Sequence, residues 1–288
     1  MKWLKIIRPQ TLFASLCPVV TALLVVHQQG LDIHIPVGIA TILCALALQI
    51  LSNLINDYYD FLRGTDRKGR VGFSRALAEG IVTQQQMRNA CFITLAIALL
   101  LGLYLVVMGG WVIALIGVSA ILFAWLYTAT NHSLSYLGIA DIFVFLYYGI
   151  VAGWGTGYLQ LSAHPSDVQL GAITAPLLYA TAVNGLISMC VLIINNLRDI
   201  ESDREAGKRT FPVRFGKRAG EIGMAVIVAC MPLAAWMAFR SWIPTLVIVP
   251  ALALLMAVFR AEGKQYNLCL LGAGLVNVCY TILVIGDL

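Results

Sequence analysis

Nine runs of about twenty mainly apolar residues follow one another along the chain, at roughly 11–27, 36–55, 89–108, 111–130, 138–159, 172–195, 221–239, 242–259 and 267–286. Each is long enough to cross the ~30 Å hydrocarbon core of a bilayer as a helix. No other feature constrains the fold so strongly, because a segment in lipid must satisfy its own backbone hydrogen bonds. Composition agrees: of 288 residues, 60% are hydrophobic and 11% are Asp, Glu, Lys or Arg, whereas soluble domains carry about a quarter charged residues. Such a chain cannot cover a water-facing surface, and it is too apolar to stay disordered. The expected fold is an all-α membrane protein of nine transmembrane helices, a single polytopic domain over residues 1–288.

The first run follows Lys2, Lys5 and Arg8 as in a signal peptide. No small-residue cleavage site follows Val26, and Leu16 before Cys17 does not suit lipoprotein processing, so it reads as an uncleaved helix. With the N-terminus inside, 18 of the 19 Lys and Arg residues fall on the cytoplasmic side and Arg240 alone falls outside. A wrong helix count would scramble that asymmetry, so the expected topology is N-in, C-out. The net charge of +5 is then a topological signal, and no basic block with interleaved aromatics points to nucleic acid. The seven cysteines are scattered singly through apolar runs, with no CxxC and no Cys/His cluster, and read as structural thiols.

Two inner loops are out of proportion, at about 56–88 and 196–220. They hold 13 of the basic residues and, counting Glu221 at the far edge, nine of the 14 acidic ones. Long polar loops on one face of a membrane scaffold are where a site is built. The cluster that leads into the first reads Asn53, Asn56, Asp57, Asp60, Arg63, Asp66, Arg67 and Lys68; the one that leads into the second reads Asn195, Asn196, Arg198, Asp199, Asp203, Arg204, Lys208 and Arg209. Both begin with Asn four residues before Asp, at the end of an apolar helix. At 3.6 residues per turn, Asn53, Asp57 and Asp60 share a face with Asn56 beside them, and Asn195, Asn196, Asp199 and Asp203 fan over one side. The offset of about half the chain hints at a duplicated four-helix unit.

Carboxylates crowded on one face repel unless a cation bridges them. Asp with Asn carbonyl is a hard oxygen set that suits Mg²⁺, an ion commonly completed by waters and substrate phosphates. Arg63, Arg67 and Lys68 in one loop, and Arg204, Lys208 and Arg209 in the other, are phosphate donors. Together they describe a diphosphate clamp. The plainer alternative is a set of solvated, topogenic loop charges; paired occurrence and helix-face spacing speak against it.

These motifs resemble the UbiA superfamily of membrane prenyltransferases, with its two Asp-rich motifs after the second and sixth of nine helices. The wording is closest to the menaquinone branch, which prenylates 1,4-dihydroxy-2-naphthoate. Matching stretches include Arg8-Pro9-x-Thr11-Leu12, Asn56-Asp57-Tyr58-x-Asp60 through Asp66, Tyr136-x-Gly138-x-x-Asp141, and Asn195-Asn196-x-Arg198-Asp199 through Gly216. Gly72-Phe73-Ser74-Arg75 departs from a family loop that often carries Gly-Pro.

The resemblance implies a reaction. A polyprenyl diphosphate loses Mg²⁺-bound pyrophosphate, and the allylic cation alkylates an aromatic acid that loses its carboxylate, giving demethylmenaquinone. It implies that Asn56, Asp57, Asp60 and Asp66 hold one Mg²⁺ and that Asn196, Asp199 and Asp203 hold the other. Asp60, Asp66, Asp199 and Asp203 are then the catalytic carboxylates, with Arg204, Lys208 and Arg209 on phosphate oxygens. It places the enzyme in a bacterial cytoplasmic membrane with its site facing the cytoplasm.

An allylic cation needs a dry, aromatic cage. Tyr127, Tyr136, Tyr148 and Trp154 are candidates, though Tyr and Trp at helix ends also serve as interfacial anchors. Asn53, Asn195 and Asp141 complete the substrate-pocket candidates. Asn184 reads as a bond to a neighbouring helix, with the cavity as its other possible use. The rival readings are a sister prenyltransferase acting on 4-hydroxybenzoate or homogentisate, and an ion-coupled transporter. A transporter's carboxylates should lie near the bilayer midplane; here they sit at helix ends.

Overall fold

The computed structural model describes residues 2–62, 76–127, 134–164 and 169–287. All of their regular structure is helical. In chain order the helices are α1 (Lys2–Ile7), α2 (Pro9–Gln28), α3 (Ile35–Leu62), α4 (Gln84–Leu126), α5 (Leu134–Leu137), α6 (Ala140–Phe145) and α7 (Ala152–Ala163). They continue with α8 (Leu170–Arg198), α9 (Ile200–Glu205), α10 (Phe211–Phe215), α11 (Lys217–Phe239), α12 (Ile248–Arg260) and α13 (Gln265–Ile285). A π turn at Leu146–Val151 joins α6 to α7, and a 3₁₀ turn at Pro244–Val247 leads into α12.

Seven of these segments are long and apolar enough to cross a membrane, counting Ala140–Ala163 as one, and Pro244–Arg260 is a shorter apolar helix. The chain is a multi-pass membrane protein. The 43 residues of α4 would reach about 65 Å as one straight rod, twice a bilayer core. It bends instead at Gly110, whose φ of 68° and ψ of −158° only a residue without Cβ adopts easily. That bend falls where the sequence separates the expected spans 89–108 and 111–130. Thr83 starts α4 with a reciprocal capping box to Gln86.

α8 is the central post and packs on α2, α11 and α13. Ile187, Met224, Met231 and Tyr280 are buried at that core. On its other side Gly149, Gly153 and Gly157 recur every fourth residue and let the π turn and α7 approach closely. A Cβ on Gly153 would lie 2.1 Å from Thr181 Oγ1, and one on Gly149 would lie 3.0 Å from Gly185 Cα. Asn184 of α8 donates to Asn277 of α13 at 2.7 Å, the helix-to-helix bond expected of it. The seven cysteines are free; Cys17, Cys190 and Cys269 are buried, while Cys230 and Cys279 are exposed.

Candidate active site

α3 is 28 residues long, about 42 Å, more than the ~30 Å thickness of a bilayer core. Gln49, Asn53, Asn56 and Asp60 recur along it at spacings of one helical turn, and all four line a cavity of about 600 Å³. Asn195, Asn196, Asp199 and Asp203, from the end of α8 and from α9, line the same cavity, joined by Arg198, Lys208 and Thr210. The two acidic motifs, far apart in sequence, therefore share one space. Both walls sit at helix C-termini, whose carbonyls add negative potential.

Asp60, Asp199 and Asp203 are 3%, 6% and 5% exposed. Carboxylates buried this far must be compensated. Arg198 grips Asp199 as a fork, Nε to Oδ1 at 2.9 Å and Nη2 to Oδ2 at 2.8 Å, and its Nη1 donates to Asn267 Oδ1 at 2.9 Å. Lys208 Nζ lies 3.3 Å from Asp203 Oδ1. Asp57 does something else. It does not line the cavity; its Oδ2 accepts from the Ala76 amide at 3.2 Å and ties the returning loop to α3. A metal role for Asp57 stays an expectation beside this loop contact.

Two expected phosphate donors are also elsewhere. Arg204 pairs with Glu201 at 2.8 Å in an exposed contact, and Arg209 is exposed off the lining. Arg63, Asp66, Arg67 and Lys68 lie outside the described residues. Arg8 is a lining residue that sequence reasoning missed. It precedes α2 in the left-handed region at φ 55°, and Pro9 starts the helix behind it.

The donor set is wholly oxygen, as Mg²⁺ requires: carboxylates of Asp60, Asp199 and Asp203, and amides of Asn56 and Asn196. Among the described residues no three His, Cys, Asp or Glu side chains converge tightly enough to cage an ion alone. The residues thus fit Mg²⁺ as an ion shared with substrate phosphates and water.

Away from the carboxylates the cavity is apolar and aromatic. Tyr127, Tyr148, Phe123, Phe143 and Tyr147 line it. Phe123 stands 4.7 Å from Phe143 and 4.9 Å from Tyr147 between ring centroids. Tyr136, Asp141 and Trp154 do not line the cavity; Trp154 stacks on Tyr158 at 5.2 Å. Leu99, Leu103 and Val118 of α4 border the cavity and are more than half exposed, so that side is open to its surroundings.

Residues 15–268 match the UbiA prenyltransferase family. The chain is 39% identical over 223 residues to the 1,4-dihydroxy-2-naphthoate octaprenyltransferase of Escherichia coli (strain K12), covering 75% of this chain and 68% of that protein. A protein of the same name from Mycobacterium leprae (strain TN) is 30% identical over 295 residues, covering 100% and 96% of the two chains. The fold is similar to that of a UbiA homolog from Archaeoglobus fulgidus bound to DMAPP and Mg²⁺, with a TM-score of 0.66 and 18% identity over 100% of this chain and 99% of that one.

Proposed function

The chain belongs to the UbiA prenyltransferase family, and from that premise we infer that it transfers a polyprenyl group from a polyprenyl diphosphate to 1,4-dihydroxy-2-naphthoate. The carboxylate is lost as CO₂ and the product is the reduced, naphthoquinol form of demethylmenaquinone. The acceptor follows from relatives that carry this enzyme name. The observation that carries the reaction type is the shared cavity, with buried Asp and Asn on two facing walls at one end and an aromatic, apolar lining beyond.

Asn56 and Asp60 on one wall, and Asn196, Asp199 and Asp203 on the other, are the residues that would hold Mg²⁺, with Asp66 assigned to the same set. Mg²⁺, when bound, neutralises charge developing on the leaving diphosphate. Arg198 keeps the Asp199 carboxylate in one orientation through two bonds. Lys208, held by Asp203, is a compact cation placed to meet phosphate oxygens. As the allylic C–O bond breaks, its electron pair leaves with the diphosphate. Phe123, Phe143 and Tyr147 present ring faces to the carbocation and keep water from it. A π pair of the acceptor forms the new C–C bond. With that bond made at the carboxylate-bearing carbon, departing CO₂ returns an electron pair to the ring, and no protein base is needed.

The bend in α4 supports counting it as two crossings, and Pro244–Arg260 supplies a short further one, which together give nine. The one-sided distribution of Lys and Arg supports N-in, C-out and a site facing the cytoplasm across a bacterial inner membrane, in one domain. Purified protein in lipid, given a polyprenyl diphosphate and a panel of phenolic acids, should yield by mass a decarboxylated prenyl naphthoquinol. Preference for 4-hydroxybenzoate or homogentisate would move the acceptor to a sister reaction.

A further inference from the structure

Gln49 is an amide in the middle of an apolar helix, about 10 Å before Asn56 along α3, and only 7% exposed. Its hydrogen bonds have one self-consistent direction. The Ile7 carbonyl, which can only accept, takes a bond from Asn53 Nδ2 at 2.8 Å. Asn53 therefore turns its Oδ1 toward Gln49 Nε2, 3.4 Å away. That orients Gln49 Oε1 toward two hydroxyls, Tyr148 at 2.5 Å and Ser15 at 3.0 Å. Each hydroxyl has one proton, and each spends it on Gln49. What Tyr148 and Ser15 have left for the cavity is lone pairs, and both line it.

We propose that Tyr148 and Ser15, oriented by Gln49, form the site that receives a ring hydroxyl of the aromatic acceptor. Two oxygens that can only accept select a neutral donor and repel a carboxylate or a diphosphate. They therefore set the acceptor's polarity in the cavity. In 1,4-dihydroxy-2-naphthoate the 1-hydroxyl donates internally to the neighbouring carboxylate, so the 4-hydroxyl is the free donor. Accepting from it orients the ring, while the 1-hydroxyl, ortho to the carboxylate-bearing carbon, supplies the electron density with which that carbon attacks the allylic carbon.

The backbone is built to hold Tyr148 there. It sits in the π turn Leu146–Val151, a helical irregularity that recurs at functional sites. The turn is pressed on α8 where Gly149 meets Gly185. Gln49 is a positioning residue; Tyr148 and Ser15 touch substrate.

This inference rests on the acceptor reading above, and its test separates the two. Steady-state kinetics of the full chain in lipid, with Mg²⁺ and a polyprenyl diphosphate, would compare 1,4-dihydroxy-2-naphthoate with its 4-O-methyl ether and with 1-hydroxy-2-naphthoate. Both analogues should lose roughly 10–100-fold in kcat/KM on the unaltered protein, as expected where a site is built for a hydroxyl. Tyr148→Phe should cut kcat/KM for the dihydroxy acceptor by about the same factor while leaving KM for the polyprenyl diphosphate within about twofold. It should also abolish most of the discrimination against the methyl ether. Ser15→Ala should act in the same direction, and it carries the test if Tyr148→Phe does not fold.

Undiminished discrimination in a folded variant would overturn the proposal, as would equal KM increases for both substrates. A protein that ignores the naphthoate but prenylates another phenol contradicts the acceptor reading alone. The same variants on that phenol and its methyl ether then decide the hydroxyl site.

Discussion

Arg198 and Asp199 are neighbours in sequence and form a two-bond fork, 2.9 and 2.8 Å, at the end of α8 with side chains only 5% and 6% exposed. A buried ion pair of this kind adds little net stability, but removing one member strands the other and costs about 3–5 kcal/mol. Arg198→Ala should therefore lower the melting temperature in detergent and cut turnover by roughly 100-fold or more, since Asp199 loses its fixed orientation. Arg198→Lys keeps the charge but not the fork and should recover stability better than rate. Near-normal turnover in Arg198→Ala would mean that Asp199 needs no such holder.

Asp57 and Asp60, three residues apart on α3, should separate cleanly. Asp60 lines the cavity, whereas Asp57 holds the Ala76 amide. Asp60→Asn should reduce turnover by about two orders of magnitude or more without lowering the melting temperature. Asp57→Asn retains a carbonyl acceptor and should keep most activity, while Asp57→Leu should loosen the loop and cost about 1–3 kcal/mol. Turnover beside thermal melts distinguishes them.

Lys208 and Arg204 offer a second contrast. Lys208 sits at the cavity against Asp203, and Arg204 pairs with Glu201 in solvent. Lys208→Ala should raise KM for the polyprenyl diphosphate by about tenfold or more, the loss of a charged phosphate donor. Arg204→Ala should change it by less than about twofold, since exposed pairs contribute little.

Metal removal is the fourth expectation. With excess EDTA turnover should stop, and added Mg²⁺ should restore it, because the oxygen donors are incomplete without substrate phosphates. Full activity in EDTA would remove the ion from the reaction.

Much of this site was legible in the sequence because helical spacing is a one-dimensional signal. Asn56, Asp60, Asn196, Asp199 and Asp203 lie where apolar runs end, so their face followed from the 3.6-residue period. Spacing alone does not show that Asp57, on the same face, also holds the Ala76 amide 19 residues on. Choosing Lys208 over Arg204 as the cavity's base depended on the turn at Gly207, where φ reaches 75°. Gln49 gave no local signal: its hydroxyl partners are 34 and 99 residues away. The aromatic wall was mixed for the same reason, since Phe123, Phe143 and Tyr147 meet only through tertiary packing, while Trp154 on the same apolar segment faces Tyr158. Gly110 was legible only as a boundary between two apolar runs, not as a bend within one helix.

The most direct measurement of the central claim is the stoichiometry of a single reaction, with the acceptor labelled at its carboxyl carbon and incubated with a polyprenyl diphosphate and Mg²⁺. Labelled CO₂, pyrophosphate and prenylated naphthoquinol should form in equal amounts, with all three lost together in Asp60→Asn and in Asp199→Asn. Pyrophosphate released without CO₂, or a prenylated product that keeps the label, would contradict it.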